Sequence, residues 1–299
     1  MNKSLSFKII GGDARQIYLA RLLKGDGHDV ILYGINPELC PEIDTVKDFP
    51  KPGESDIVVL PLPAFADDEM INAPLFDKPV HVSELKASIC PGQLLVAGLL
   101  PRSFFEWSEK NGIHTTDYFI REEMAVLNAV PAAEGAIALA MEETPITLHG
   151  ANVLVIGFGK IGKILSHRLH SLGCRLTVSA RKYSDFAWIE AFGYAKANTE
   201  KLGSNLAQFD IIFNTVPATV LTRERLKQLK SDCLVIDIAS KPGGVDFTAA
   251  KELGTNVIWA LSLPGKCSPL TSGRIIRDII YHILEEKGIL IRSDSVTGI

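Results

Sequence analysis

The run Asn152-Val153-Leu154-Val155-Ile156 leads directly into Gly157-Phe158-Gly159-Lys160-Ile161-Gly162, a strand-like segment followed by glycines spaced G-x-G-x-x-G. A helical pattern from Lys160 to Leu172 comes next and is closed by Gly173. In that context the glycines read as a dinucleotide-binding fingerprint. The first permits a tight turn, the second lets a pyrophosphate approach the backbone, and the third lets helix and strand pack closely. Unpaired amides and the positive end of the helix then attract the phosphates. Gly157, Phe158, Gly159, Lys160, Ile161 and Gly162 are therefore the candidate phosphate loop. The alternative is a tight strand–helix turn with no ligand.

Outward from this loop, apolar β-rich runs alternate with helical patterns throughout the chain. In the second half they are Leu176–Ser179, Ile211–Asn214, Cys233–Asp237 and Val257–Ala260. In the first half they are Phe7–Ile10, Asp29–Tyr33, Asp56–Leu60 and Leu94–Ala97, with a helix from Arg15 to Lys24. Continuous apolar strands separated by helices imply parallel sheets covered on both faces. The expected fold is α/β, with two doubly wound parallel-sheet lobes, the second a Rossmann dinucleotide-binding domain. Residues 1–128 read as a flavodoxin-like substrate lobe and 129–271 as the Rossmann domain. Residues 272–299 read as a C-terminal helix and tail that pack back on the first lobe. Between the lobes, Glu122–Leu127 and Ala133–Glu142 read as helical, with Pro131 separating them.

The end of the strand after the fingerprint bears on the coenzyme. An acid there binds the ribose 2′-hydroxyl of NAD and repels a 2′-phosphate. This strand ends Val178-Ser179-Ala180-Arg181-Lys182, with no acid at the tip. Ser179, Arg181 and Lys182 suit a phosphate, so the reading favours NADP over NAD. Arg181 and Lys182 as solvated loop charges is the other reading. Further strand-end loops share the same edge, where open α/β sheets bind ligands. Thr215 and Pro217 are expected beside the coenzyme ribose. Asp237, Ser240 and Lys241 bring a carboxylate, a hydroxyl and a cation. Each loop is also compatible with ordinary turn chemistry. In the first lobe, Gly11-Gly12-Asp13-Ala14-Arg15 lacks a third glycine. Gly12 and Arg15 could hold a carboxylate at a helix N-terminus, and Asp13 is equally well a helix cap.

Composition narrows the classes. The chain has 299 residues, 46% hydrophobic and 22% charged, which excludes a disordered tail protein or a coiled coil. Its formal charge of −4 gives no support to a nucleic-acid partner. Five scattered cysteines without C-x-x-C make neither a disulfide framework nor a zinc site, and a reducing cytoplasm fits them. No metal is expected. No signal peptide or membrane-spanning run is apparent.

Taken together, Gly11-Gly12-Asp13-Ala14-Arg15-Gln16, Asn128-Ala129-Val130-Pro131-Ala132-Ala133-Glu134-Gly135, the fingerprint, Asp237-Ile238-Ala239-Ser240-Lys241-Pro242-Gly243-Gly244-Val245-Asp246-Phe247 and Leu263-Pro264-Gly265 before Ser272-Gly273 resemble the family of the dipicolinate synthase A subunit. The likeness runs from about residue 7 to 285. It implies an NADP-dependent dehydrogenase that oxidises a dihydro- or hydroxy-tetrahydropyridine dicarboxylate from the lysine pathway to dipicolinate (pyridine-2,6-dicarboxylate) during sporulation. It also implies a partner, the flavoprotein-like B subunit of dipicolinate synthase, and the mother-cell cytoplasm of a spore-forming bacterium as the location. A homo-oligomer is expected. The segment 288–299 aligns with no functional element of the family.

For such a substrate, Arg15 with Gly12, Ser240 with Lys241, and Asn128 are the candidate substrate contacts, and Glu134 or Asp237 is the candidate proton acceptor. Glu134 also reads as an ordinary salt-bridge residue of the connector. Two other functions are open: an NADP-binding accessory protein without independent catalysis, and a two-lobed hydroxy-acid or amino-acid dehydrogenase. The latter would want a His–carboxylate relay in the second lobe, and no His lies between His170 and His282.

Overall fold

The structure is a computed structural model that describes residues 4–53, 55–203 and 205–290. The chain divides into two compact units. One is built from the first 127 residues and the segment that begins at Ser268, and the other is Asn128–Cys267. In chain order the first unit carries β1 (Ser6–Ile10), α1 (Ala14–Gly25), β2 (Asp29–Tyr33), β3 (Asp44–Thr45), β4 (Ile57–Val59), α2 (Val82–Ser88), β5 (Leu94–Ala97), α3 (Arg102–Lys110) and β6 (His114–Asp117). Helix α4 (Glu122–Glu143) leads into the second unit. There follow β7 (Asn152–Ile156), α5 (Lys160–Ser171), β8 (Arg175–Ala180), α6 (Tyr183–Ala191), β9 (Ala195–Asn198), β10 (Ile211–Asn214), α7 (Arg223–Leu226), β11 (Leu234–Asp237), α8 (Phe247–Leu253), β12 (Asn256–Trp259) and α9 (Leu263–Cys267). Helix α10 (Pro269–Glu286) belongs to the first unit again.

Each unit holds one six-stranded sheet, ordered β3-β2-β1-β4-β5-β6 and β12-β11-β10-β7-β8-β9. Every strand pair is parallel. Without β3, the first sheet has the flavodoxin order expected from the sequence. The two residues of β3, paired to Ile31 and Leu32, correct it to the 3-2-1-4-5-6 winding that the second sheet also has.

Alternation along the strands builds a core on each face. Phe7 and Ile9 bury into one cluster with Leu19 and Leu23 of α1 and Ile276, Ile279 and Ile283 of α10, while Ile10 joins Val58, Leu95 and Phe104 on the opposite face. In the second unit Val153 and Val155 join Leu165 and Leu169 of α5, and Leu154 and Ile156 join Leu221, Val235 and Ala249.

The two connector helices read from the sequence are one helix, and α4 passes straight through Pro131. Proline removes the N–H that would bond to Leu127, an exposed residue whose carbonyl can turn to water. By length and composition α4 could span a membrane, but half of its most apolar stretch is buried inside the protein. Of the unassigned segment 288–299, residues 291–299 lie outside those described.

Candidate functional site

The start of α5 lies unusually close to the strand before it. Gly157 has φ +99°, and a Cβ there would fall 2.4 Å from Thr215 Oγ1. A Cβ on Gly162 would fall 2.2 Å from the carbonyl oxygen of Gly157, so the helix can lie this close to β7 only with glycine. Gly159, the N-cap, is different: nothing lies within 4 Å of its Cβ position, and no side chain caps the helix. The helix therefore begins without a side-chain cap, and the Cβ position of its N-cap residue faces open space. That space is a cavity of about 620 Å³, lined by Gly157, Phe158, Gly159, Ala180, Arg181, Lys182, Asp185, Thr199, Glu200, the segment from Thr215 to Val220, and Arg225. Thr215 is held by its hydroxyl, which donates to Ile156 O at 2.9 Å, and Pro217 is exposed on the wall. Lys160 and Ile161 occupy the first turn of α5 but do not line the cavity.

At the tip of β8, Arg181 and Lys182 are exposed on the cavity rim. Ser179 requires a correction. It is fully buried, and its hydroxyl accepts from the Thr199 hydroxyl at 3.0 Å, so it braces the floor rather than meeting a phosphate. This end of β8 is covered on both faces, so Val178 and Ala180 are buried as well as Ser179. Sequence reading missed Asp185, Thr199, Glu200 and Arg225, which have no local signature and meet at the cavity only through folding. Arg225 donates from Nη1 to Val220 O at 2.7 Å and from Nη2 to Glu200 O at 2.9 Å.

The strand–helix junction of the first unit looks similar in sequence but is closed. Gly11 N donates to Tyr33 O at 2.8 Å, Gly12 N to Asn72 O at 2.7 Å, Asp13 N to Gln16 Oε1 at 3.1 Å and Arg15 N to Asp13 Oδ1 at 3.0 Å. Asp13 is the N-cap, in a complete capping box, and its carboxylate already occupies the place an anion would take. Arg15 is likewise corrected from a substrate anchor to an internal brace. Its Nε and Nη2 bind Asp13, Nη2 also donates to Leu62 O, and its side chain is 7% exposed. The Gly12 amide is spent, and a Cβ there would meet Gln16. Asn128 lies in α4, with its Oδ1 buried and accepting no hydrogen bond among the described residues.

Both proton-acceptor candidates are engaged elsewhere. Asp237 is fully buried and accepts from Asn214 Nδ2 at 2.8 Å, Ala239 N at 3.1 Å and Gly244 N at 2.7 Å. It ties the loops after β10 and β11 together. Glu134 is exposed and takes Arg168 Nε and Nη2 at 3.1 and 3.0 Å, the salt bridge of its alternative reading. Ser240 and Lys241, just past β11, are exposed. Among the described residues no group of His, Cys, Asp or Glu could hold a metal ion.

Fold and cavity together are of the dehydrogenase type, and the second unit resembles an NAD-binding domain. Residues 130–243 match the family described as D-isomer specific 2-hydroxyacid dehydrogenase, NAD binding domain. D-lactate dehydrogenase from Escherichia coli shares the fold, with a TM-score of 0.60, 16% identity, and 95% of this chain and 98% of that one covered. Within that class the chain is a relative of the A subunit of dipicolinate synthase. Residues 6–119 match the family described as the N-terminal domain of that A subunit. The A subunit of dipicolinate synthase from Bacillus subtilis (strain 168) is 28% identical over 290 residues, covering 96% of this chain and 98% of the relative. The crystal structure of the A subunit from Bacillus halodurans superposes with a TM-score of 0.83 at 28% identity, covering 94% of this chain and 97% of that one.

Proposed function

We propose that this chain is an NADP-dependent oxidoreductase that converts a dihydropyridine or hydroxy-tetrahydropyridine dicarboxylate to dipicolinate. The observation that carries the reading is the uncapped start of α5, opening on a cavity with Arg181 and Lys182 at its rim. Full-length likeness to the dipicolinate synthase A subunit supports the substrate class.

For the dihydropyridine, the balanced reaction is substrate plus NADP+ giving dipicolinate, NADPH and one proton. The bound coenzyme supplies the hydride acceptor. First-turn amides of α5 hold the pyrophosphate, and Arg181 and Lys182 take the 2′-phosphate. Thr215 and Pro217 wall the ribose. Ser240 and Lys241 offer a hydroxyl and a cation to a substrate carboxylate from the same carboxyl edge of the sheet. Aromatisation provides the thermodynamic pull, so the proton can leave to water without a dedicated base. That suits a cavity whose lining contains no histidine, in a chain whose candidate acids Glu134 and Asp237 are committed to structural bonds.

The same committed acids give an observation in favour of a second reading, in which this chain binds NADP(H) and the flavoprotein-like B subunit completes the chemistry. We extend either reading to a self-associating protein in the mother-cell cytoplasm of a spore-forming bacterium. The test mixes the purified chain with NADP+ and freshly made cyclic precursor and follows the ultraviolet absorbance of dipicolinate beside NADPH. The two should rise in equal amounts. Turnover only on addition of the B subunit would select the accessory reading, and none in either case would refute both.

A further inference from the structure

The coenzyme cavity is crossed by a side chain that the fingerprint does not account for. Thr199 and Glu200 follow β9, and Ala218 to Val220 follow β10. These strands are not neighbours, because the sheet runs β10-β7-β8-β9 and places two strands between them. No ladder hydrogen bond can set the spacing of the two loops. Arg225, on α7, lines the cavity and reaches both: Nη1 to Val220 O at 2.7 Å and Nη2 to Glu200 O at 2.9 Å. Both partners are neutral backbone carbonyls. A planar guanidinium with rigidly diverging donors can bridge two such acceptors from two nitrogens, whereas a lysine ammonium carries all three donors on one nitrogen and spans a separated pair poorly.

We infer that Arg225 is a positioning residue for the adenosine half of the coenzyme, a strut that fixes the width of the cavity between the loops after β9 and β10. The inference rests on the coenzyme reading proposed above. The adenosine ribose is read at the tip of β8, beside β9, so the two loops joined by Arg225 flank that half of the molecule. On that reading the nicotinamide half is bound elsewhere along the carboxyl edge of the sheet.

The test compares the full chain with Arg225→Ala and Arg225→Lys. Dissociation constants are measured for NADPH, NADH and reduced nicotinamide mononucleotide, with a melting curve for each protein and the KM for the dinucleotide. Both variants should bind NADPH and NADH about tenfold more weakly, the loss expected from breaking a charged hydrogen-bond pair. The KM for the dinucleotide should rise in parallel, and mononucleotide affinity should stay unchanged. Should Arg225→Ala fail to fold, Arg225→Lys decides alone. Full recovery with lysine would mean that charge and not bridging matters, and would overturn the inference. So would wild-type affinities in both variants, or a loss confined to NADPH. A wild-type chain that binds NADH as well as NADPH would refute the NADP assignment while leaving the strut intact. A wild-type chain that binds neither would overturn both.

Discussion

Gly159 and Gly162 belong to one loop, yet opposite constraints hold them. Gly159 has φ −76° and open space around its Cβ position, so alanine fits the protein there. On the proposed reading the added methyl would stand where the pyrophosphate comes. Gly159→Ala should therefore melt within about 2 °C of wild type while losing roughly tenfold or more in NADP(H) affinity. Gly162→Ala should lose stability itself, by about 1–3 kcal/mol or more, because its methyl meets a backbone carbonyl that cannot move without shifting β7. Melting curves and coenzyme titrations separate the two, and wild-type binding by Gly159→Ala would remove the phosphate loop from the proposal. Asp237 makes a different case. Asparagine in its place offers one accepting oxygen for three donors and turns an amide toward another donor. Asp237→Asn should cost about 2 kcal/mol or more in denaturant unfolding. Full stability with lost turnover would return Asp237 to the chemistry.

At the scale of elements, the central strands and the edge strand β12 were legible in the sequence, and the other three edges were not. Strands β3 (Asp44–Thr45), β6 (His114–Asp117) and β9 (Ala195–Asn198) all sit at sheet edges. An edge strand has one neighbour and little burial, so its ladder forms without an apolar signature. The fingerprint was legible because Gly157 and Gly162 answer a backbone requirement that only glycine meets. Ser179 and Asp237 were not, because their partners Thr199 and Asn214 are chosen by tertiary contacts that no spacing reveals. Helix α10 shows the same limit. Its apolar pattern predicted a buried face, but the crossing point with α1 is Gly273, whose Cβ would lie 2.8 Å from Arg15 O and 3.1 Å from Leu19 N. Gly273→Ala should push the helices apart at a cost of about 1–3 kcal/mol, read as a lowered melting temperature. An unchanged value would show that the crossing is loose. Asp210 locks the base of the second sheet. Burial alone would raise its pKa, but the Lys230 ammonium, the Asn152 N–H at 2.6 Å and Arg175 hold it below the usual carboxylate value. A lowered folded pKa means stability that is present above the unfolded value of about 4 and lost as pH falls through the folded one. Asp210→Asn should thus be less stable than wild type at pH 7, with the gap closing below about pH 4. A gap that persists in acid would mean the charge contributes nothing.

Across the whole molecule, charge works against the coenzyme while the cavity works for it. The chain carries a formal charge of −4, and NADP(H) is itself an anion, so the overall field disfavours its approach. Binding then depends on a local reversal of sign. Arg181, Lys182 and Arg225 line the cavity against Asp185 and Glu200, a margin of one positive charge by the count of three cations less two anions. Arg181→Asp reverses that margin, giving two cations against three anions, and places a carboxylate at the β8 tip where NAD-selective domains carry one. The variant should lose about ten- to a hundredfold in affinity for NADPH, from a broken charge-assisted contact and new repulsion, and little for NADH. Ionic strength gives an independent check. Since exposed charges are screened within about 8 Å at physiological salt, wild-type NADPH affinity should fall with added salt more steeply than NADH affinity, and Arg181→Asp should flatten that difference. Calorimetric titrations of both coenzymes at low and high salt measure this. An equal loss for both coenzymes, or parallel salt slopes in wild type and variant, would mean that the 2′-phosphate is not read at this tip.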